Sequence, residues 1–134
     1  MTQAVETHAK RILLVEDNPA NRMVVEDLLN VQGYEVRSAG KAEEAIDVVR
    51  EFAPDLVLMD IQLPGMDGLT ATKILRADSA TSRIPIVALT SYAMTGDRER
   101  TLIAGCNGYI TKPIRVDSFR NEIAAFLDSP MPNE

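Results

Sequence analysis

Three short runs in this chain are apolar without alternation: Ile12 to Val15, Leu56 to Met59 and Ile86 to Leu89. A strand with one wet face alternates apolar and polar residues, so an unbroken run marks a strand covered on both faces, as inside a parallel sheet. Parallel neighbours need crossover connections, and helical spacing fills the intervals between these runs. The strands read as RILLVE (11–16), YEVRSA (34–39), DLVLMD (55–60), IPIVALT (84–90) and GYIT (108–111). In the first helical segment, 18–33, Val24, Leu28 and Val31 are spaced as one face, with Asn18 as N-cap, Pro19 at the first helical position and Gly33 at the exit. A second helix over 41–53 aligns Ala42, Ala45, Ile46 and Val49; a third runs from Gly68 to about Ala77 and a fourth over about 93–105. The last, about 115–127, sets Val116, Phe119, Ile123 and Phe126 at helical spacing. Five strand–helix units predict one doubly wound α/β domain over 10–127, a parallel sheet with helices on both faces. Segments 1–9 and 128–134 lack periodicity and read as flexible tails, so His8 carries no expected role.

The bulk numbers narrow the partners. A length of 134 residues suits one core, and 14 basic against 20 acidic residues leave a net charge of −6, which disfavours nucleic acid. There is neither a long apolar span nor a basic leader, so no membrane role is expected. Cys106 is alone, which excludes an internal disulfide and reads as a small packing residue; the expected location is cytoplasmic.

Ligands of open parallel sheets bind beyond the carboxyl ends of the strands. Those ends carry Glu16-Asp17, Asp60, Thr90 and Lys112. Two carboxylates about 4 Å apart repel by roughly 4 kcal/mol at an effective dielectric near 20, so three need a counter-ion or protons. Oxygen ligands without histidine or cysteine favour Mg²⁺ over zinc, and Mg²⁺ commonly bridges to phosphate. Lys112 and Thr90 suit phosphoryl oxygens, and a carboxylate nucleophile forms an acyl phosphate. Asp60, at the mouth of an apolar strand just before the Pro64-Gly65 turn, is the candidate acceptor.

LLVEDN, LVLMDIQLPGMDG, PIVALTSYA and GYITKP occur in that order along almost the whole chain. Together they resemble the response-regulator receiver domains of two-component signalling, the CheY-like family. The finer details DNPAN, MDIQLP, AMTGDRER and GCNGYITKPI are most similar to stand-alone DivK-type receivers and to the receiver modules of hybrid sensor kinases. The resemblance implies a flavodoxin-like (βα)5 fold with strand order 2-1-3-4-5. It implies that Asp60 is phosphorylated by a histidine kinase or histidine phosphotransfer protein. Asp17, Asp60 and the Gln62 backbone carbonyl would then ligate Mg²⁺, with Glu16 acting through water and Mn²⁺ able to substitute. Thr90 and Lys112 would hold the phosphoryl oxygens, Thr90 and Tyr109 would switch, and Lys112-Pro113 would be a cis peptide. Gln62 and Tyr92 would flank the path of the water that ends the phosphorylated state.

The implied output is a change in protein–protein contacts with a downstream effector, through the face made by the fourth helix, fifth strand and fifth helix. Arg98, Tyr109, Ile114 and Phe119 are expected on or near it. Such a domain is no enzyme toward outside substrates and is expected to be a monomer. As a complete chain it would be a stand-alone regulator; the alternatives are a hybrid-kinase module or a phosphorelay shuttle. Other tenants of the fold fit less well. Glu16-Asp17 would repel a flavin phosphate, and Gln62 stands where an aspartyl-phosphate phosphatase of the haloacid-dehalogenase type needs its second acid. A phosphorylation-independent binding module would not need Asp60, Thr90 and Lys112 together.

Overall fold

The three unbroken apolar runs occupy the middle of the sheet. The structure, a computed structural model, describes residues 9–91 and 95–128. Its elements alternate as β1 (Arg11–Val15), α1 (Pro19–Val31), β2 (Glu35–Ala39), α2 (Ala42–Phe52), β3 (Leu56–Asp60), α3 (Gly68–Ala77), β4 (Ile86–Thr90), α4 (Thr95–Ala104), β5 (Gly108–Thr111) and α5 (Val116–Asp128). All strand pairs are parallel, in the order β2-β1-β3-β4-β5. Interior β1, β3 and β4 are buried along their apolar runs, whereas edge strand β2 alternates.

Successive strand residues point to opposite faces, so the interior strands feed two cores. Leu13, Val15, Val57, Met59 and Ala88 pack with α2 and α3 through Ala45, Val49, Ala71 and Leu75. Ile12, Leu14, Leu58, Val87 and Leu89 pack on the other side with Val25 and Leu29 of α1 and Phe119 and Ile123 of α5. No helix among the described residues is long and apolar enough to cross a membrane.

Two helix faces differ from their sequence reading. α1 buries Val25 and Leu29 and half-buries Leu28, while Val24 is exposed and Val31 is 86% exposed. Val24-Val25 and Leu28-Leu29 each offer two adjacent apolar residues, so 3.6-residue periodicity accommodates either register, and packing into the core shared with α5 selects the one shifted by one position. Val116 is 64% exposed because α5 only begins there, and burial starts at Phe119, one turn later. The α2 face of Ala42, Ala45, Ile46 and Val49 is buried as read.

The α1 register makes a direct prediction. Leu29→Ala should lower unfolding free energy by about 2–5 kcal/mol, and Val31→Ala should change it by no more than about 0.5 kcal/mol, both read from urea midpoints.

Candidate functional site

The strand ends converge where the chain's winding reverses, because β1 leads outward to β2 while β3 lies on its other side. Glu16 follows β1 and stays in line with the sheet, its N–H donating to the Ala39 carbonyl at 3.0 Å. It is only 2% exposed. Its Oε2 accepts from the Asn18 N–H at 3.1 Å, and its carbonyl accepts from Arg22 Nη1 at 3.0 Å. Asp17, next in the chain, faces solvent. The turn starts α1 cleanly: Asn18 Oδ1 caps the Asn21 N–H at 3.0 Å and Pro19 takes the first helical position.

Asp60 ends β3 and is also 2% exposed. Its Oδ1 accepts from the Gln62 N–H at 2.8 Å. Lys112 follows β5, anchored by its own N–H on the Thr90 carbonyl at 2.8 Å, and its peptide bond to Pro113 is cis. From there the ammonium reaches across the sheet to Asp60 Oδ2 at 2.7 Å and Glu16 Oε1 at 3.1 Å. One carboxylate oxygen each of Glu16, Asp17 and Asp60 lies within 4.8 Å of the others.

Lys112 pairs with two of the three carboxylates, Glu16 and Asp60, which leaves the acidic group short of positive charge. Burial alone would lower the Lys112 pKa; hydrogen bonds and charge from Asp60 and Glu16 outweigh that and carry it above the ordinary lysine value. Lys112 is therefore cationic at neutral pH. The remaining deficit, the all-oxygen donor set and the exposed Asp17 suit Mg²⁺.

The switch candidates are placed by register. Thr90 is buried at the end of β4 opposite Thr111, and Tyr109 lies opposite Ala88. Ala88 and Thr90 share a face by strand alternation, so Thr90 and Tyr109 lie on the same side of the sheet. Tyr109 is half-buried, with the Arg98 guanidinium 6.0 Å from its ring centroid. Phe119, expected near the output surface, is instead buried beneath α5, because it belongs to the core cluster that α1 and α5 form with the interior strands; Arg98 is exposed and Ile114 half-buried. Tyr92 lies outside the described residues. Cys106 is buried and burial raises its thiol pKa, so it is a packing residue with no ready thiolate.

Sequence reading missed Arg22 and a groove. The groove, about 530 Å³, runs from Glu16 and Lys112 past Asn21 and Val24 of α1 to Pro113 and Ile114. Arg22 left no signal in the sequence, because its partner is the Glu16 backbone carbonyl.

The family model described as response regulator receiver domain matches residues 12–124. The chain belongs to the response-regulator receiver family. Among its relatives is the polar-differentiation response regulator DivK of Brucella anthropi, 45% identical over 118 residues, which are 88% of this chain and 96% of that one. The solved receiver domain of a Pseudomonas aeruginosa sensor histidine kinase, with magnesium coordinated in its active-site cleft, is 38% identical at a TM-score of 0.84, covering 91% of this chain and 100% of that one. Chemotaxis protein CheY4 of Vibrio cholerae superposes at a TM-score of 0.84 with 24% identity, over 89% of this chain and 99% of that one, and shows the shared fold. Receivers are signalling domains that work with histidine kinases and downstream effectors, and the acidic cluster of this receiver is compatible with Mg²⁺.

The crowding of acids has a measurable consequence. Asp17→Asn should raise the thermal midpoint of the receiver by a few degrees in metal-free buffer, since it removes one repelling charge. A lowered midpoint would show that the carboxylates do not repel across this centre.

Proposed function

We propose that this receiver takes a phosphoryl group onto Asp60 from a histidine kinase or a histidine phosphotransfer protein. The carrying observation is the Asp60 carboxylate itself: buried at a strand end, oriented by Gln62 N–H and Lys112, with Glu16 and Asp17 beside it. An Asp60 oxygen attacks phosphorus as the bond to the donor's imidazole nitrogen breaks, and that nitrogen keeps the electron pair. Asp17, Asp60 and the Gln62 carbonyl would hold Mg²⁺ directly and Glu16 through water, with Mn²⁺ substituting. The metal would supply charge neutralisation for the phosphoryl oxygens. Lys112 gives one phosphoryl oxygen an ammonium partner and Thr90 gives another a hydroxyl.

The added charge, about −1.5 to −2, draws on the Lys112 ammonium that otherwise bridges Glu16 and Asp60. Movement of Thr90 toward the phosphoryl group frees space for Tyr109 to turn inward, and the α4–β5–α5 face changes its preference for an effector protein. The 45% identity to the DivK response regulator supports a regulator that acts by protein contact. The likeness to a sensor-kinase receiver supports a second reading, a hybrid-kinase module or phosphorelay shuttle with the same chemistry.

Asp60→Asn should abolish incorporation of label from acetyl phosphate; label retained on another residue would overturn the assignment. Mg²⁺ at about 100 times its Kd should stabilise the receiver by about 2.7 kcal/mol, reversed by chelation, with no such gain in Asp17→Asn. Tyr92→Ala should shorten the lifetime of the phosphorylated form by exposing it to water, as measured by loss of label after donor removal.

A further inference from the structure

Gly68 opens α3 directly behind the acceptor. A Cβ placed on it would collide with the Asp60 carbonyl oxygen and would lie 2.8 Å from Met59 Cγ and 2.9 Å from Ile61 Cα. Two of those three neighbours are backbone and cannot swing aside. α3 therefore begins in backbone-to-backbone contact with the peptide that carries Asp60. Gly65, in the preceding loop, differs: its φ is +75° and its nearest neighbour lies 3.8 Å away, so its requirement is conformational.

We propose that the first turn of α3 is a backstop for the phosphoacceptor, with Gly68 a positioning residue that sets where the Asp60 carboxylate stands. The inference rests on the phosphoacceptor reading above. The seat is held from both sides. Asp67 Oδ1 caps the Thr70 N–H at 2.8 Å, and the Gly68 carbonyl accepts from the buried Thr72 hydroxyl at 2.8 Å. That hydroxyl lies 3.9 Å from Cys106 Sγ, just before β5. In front, Asp60 meets Gln62 N–H and Lys112 Nζ at 2.8 and 2.7 Å, contacts that tolerate little movement. A methyl at Gly68 has to push the Asp60 peptide forward by about 1 Å, and misplacement of that size costs up to about 10²-fold in a positioned reaction.

The test compares wild type, Gly68→Ala and Gly108→Ala. Gly108 is also a close-approach glycine, with a built Cβ 2.7 Å from the Phe126 ring, but it starts β5 at the opposite end of the strand from Lys112. Each variant is followed by its urea midpoint, its Mg²⁺ affinity by calorimetry and its initial rate of labelling by acetyl phosphate. Gly68→Ala is expected to lose about tenfold or more in both Mg²⁺ affinity and labelling rate, while Gly108→Ala loses stability yet stays within about twofold of wild type in both. Gly68→Ala matching wild type, or Gly108→Ala losing as much, overturns the backstop. A wild type that binds no Mg²⁺ and takes no label overturns the phosphoacceptor reading and this inference with it.

Should Gly68→Ala fail to fold, Asp67→Ala and Asp67→Asn decide the matter. Both remove the same charge, but only asparagine keeps the cap. Asp67→Ala is expected to bind Mg²⁺ about threefold more weakly than Asp67→Asn, and equal affinities overturn the proposal.

Discussion

The Lys112 ammonium ties together three strands that share no local sequence. It leaves β5, passes the end of β4 and bonds both Asp60 at the end of β3 and Glu16 after β1, partners 52 and 96 residues away. Without that cation, two buried carboxylates would face each other and an exposed third with no positive charge between them. Taking such acids out of water is tolerable only where hydrogen bonds and opposite charge compensate. Gln62 and Asn18 N–H groups provide the hydrogen bonds, and Lys112 provides the charge.

That compensation is incomplete, and the shortfall is what makes the acidic cluster compatible with Mg²⁺. Three acids against one base leave a place for a hard cation. Asp17, the exposed member, keeps the place open to solvent. The rest of the fold serves this geometry. Two-sided burial of β1, β3 and β4 makes the sheet a stiff platform, and the parallel winding puts the ends of β1, β3 and β5 on one edge. Behind the platform edge, α3 presses its first residue against the Asp60 peptide.

Much of this was legible in the chain. Unbroken apolar runs identified interior parallel strands, cap residues located the start of α1, and the strand ends carried the acids that cluster in the structure. α1 was legible as a helix and wrong in its buried face, because Val24-Val25 and Leu28-Leu29 let two registers satisfy the same periodicity. Phe119 was legible as part of an apolar stripe yet read as near a surface, since a stripe does not reveal whether a partner or the sheet covers it. Arg22 was invisible because its partner is a backbone carbonyl, which leaves no residue-type signature.

The amino-acid order by itself determined the alternation of elements, the two-sided burial of the central strands and the list of groups presented at their carboxyl ends, because these follow from local periodicity and side-chain chemistry. Only the tertiary structure decided which carboxylates Lys112 touches, which side of α1 is covered and how tightly α3 abuts Asp60. Those are contacts between segments far apart in the chain, set by the packing of helices on a twisted sheet, and distance along a polymer carries no information about ångströms across it.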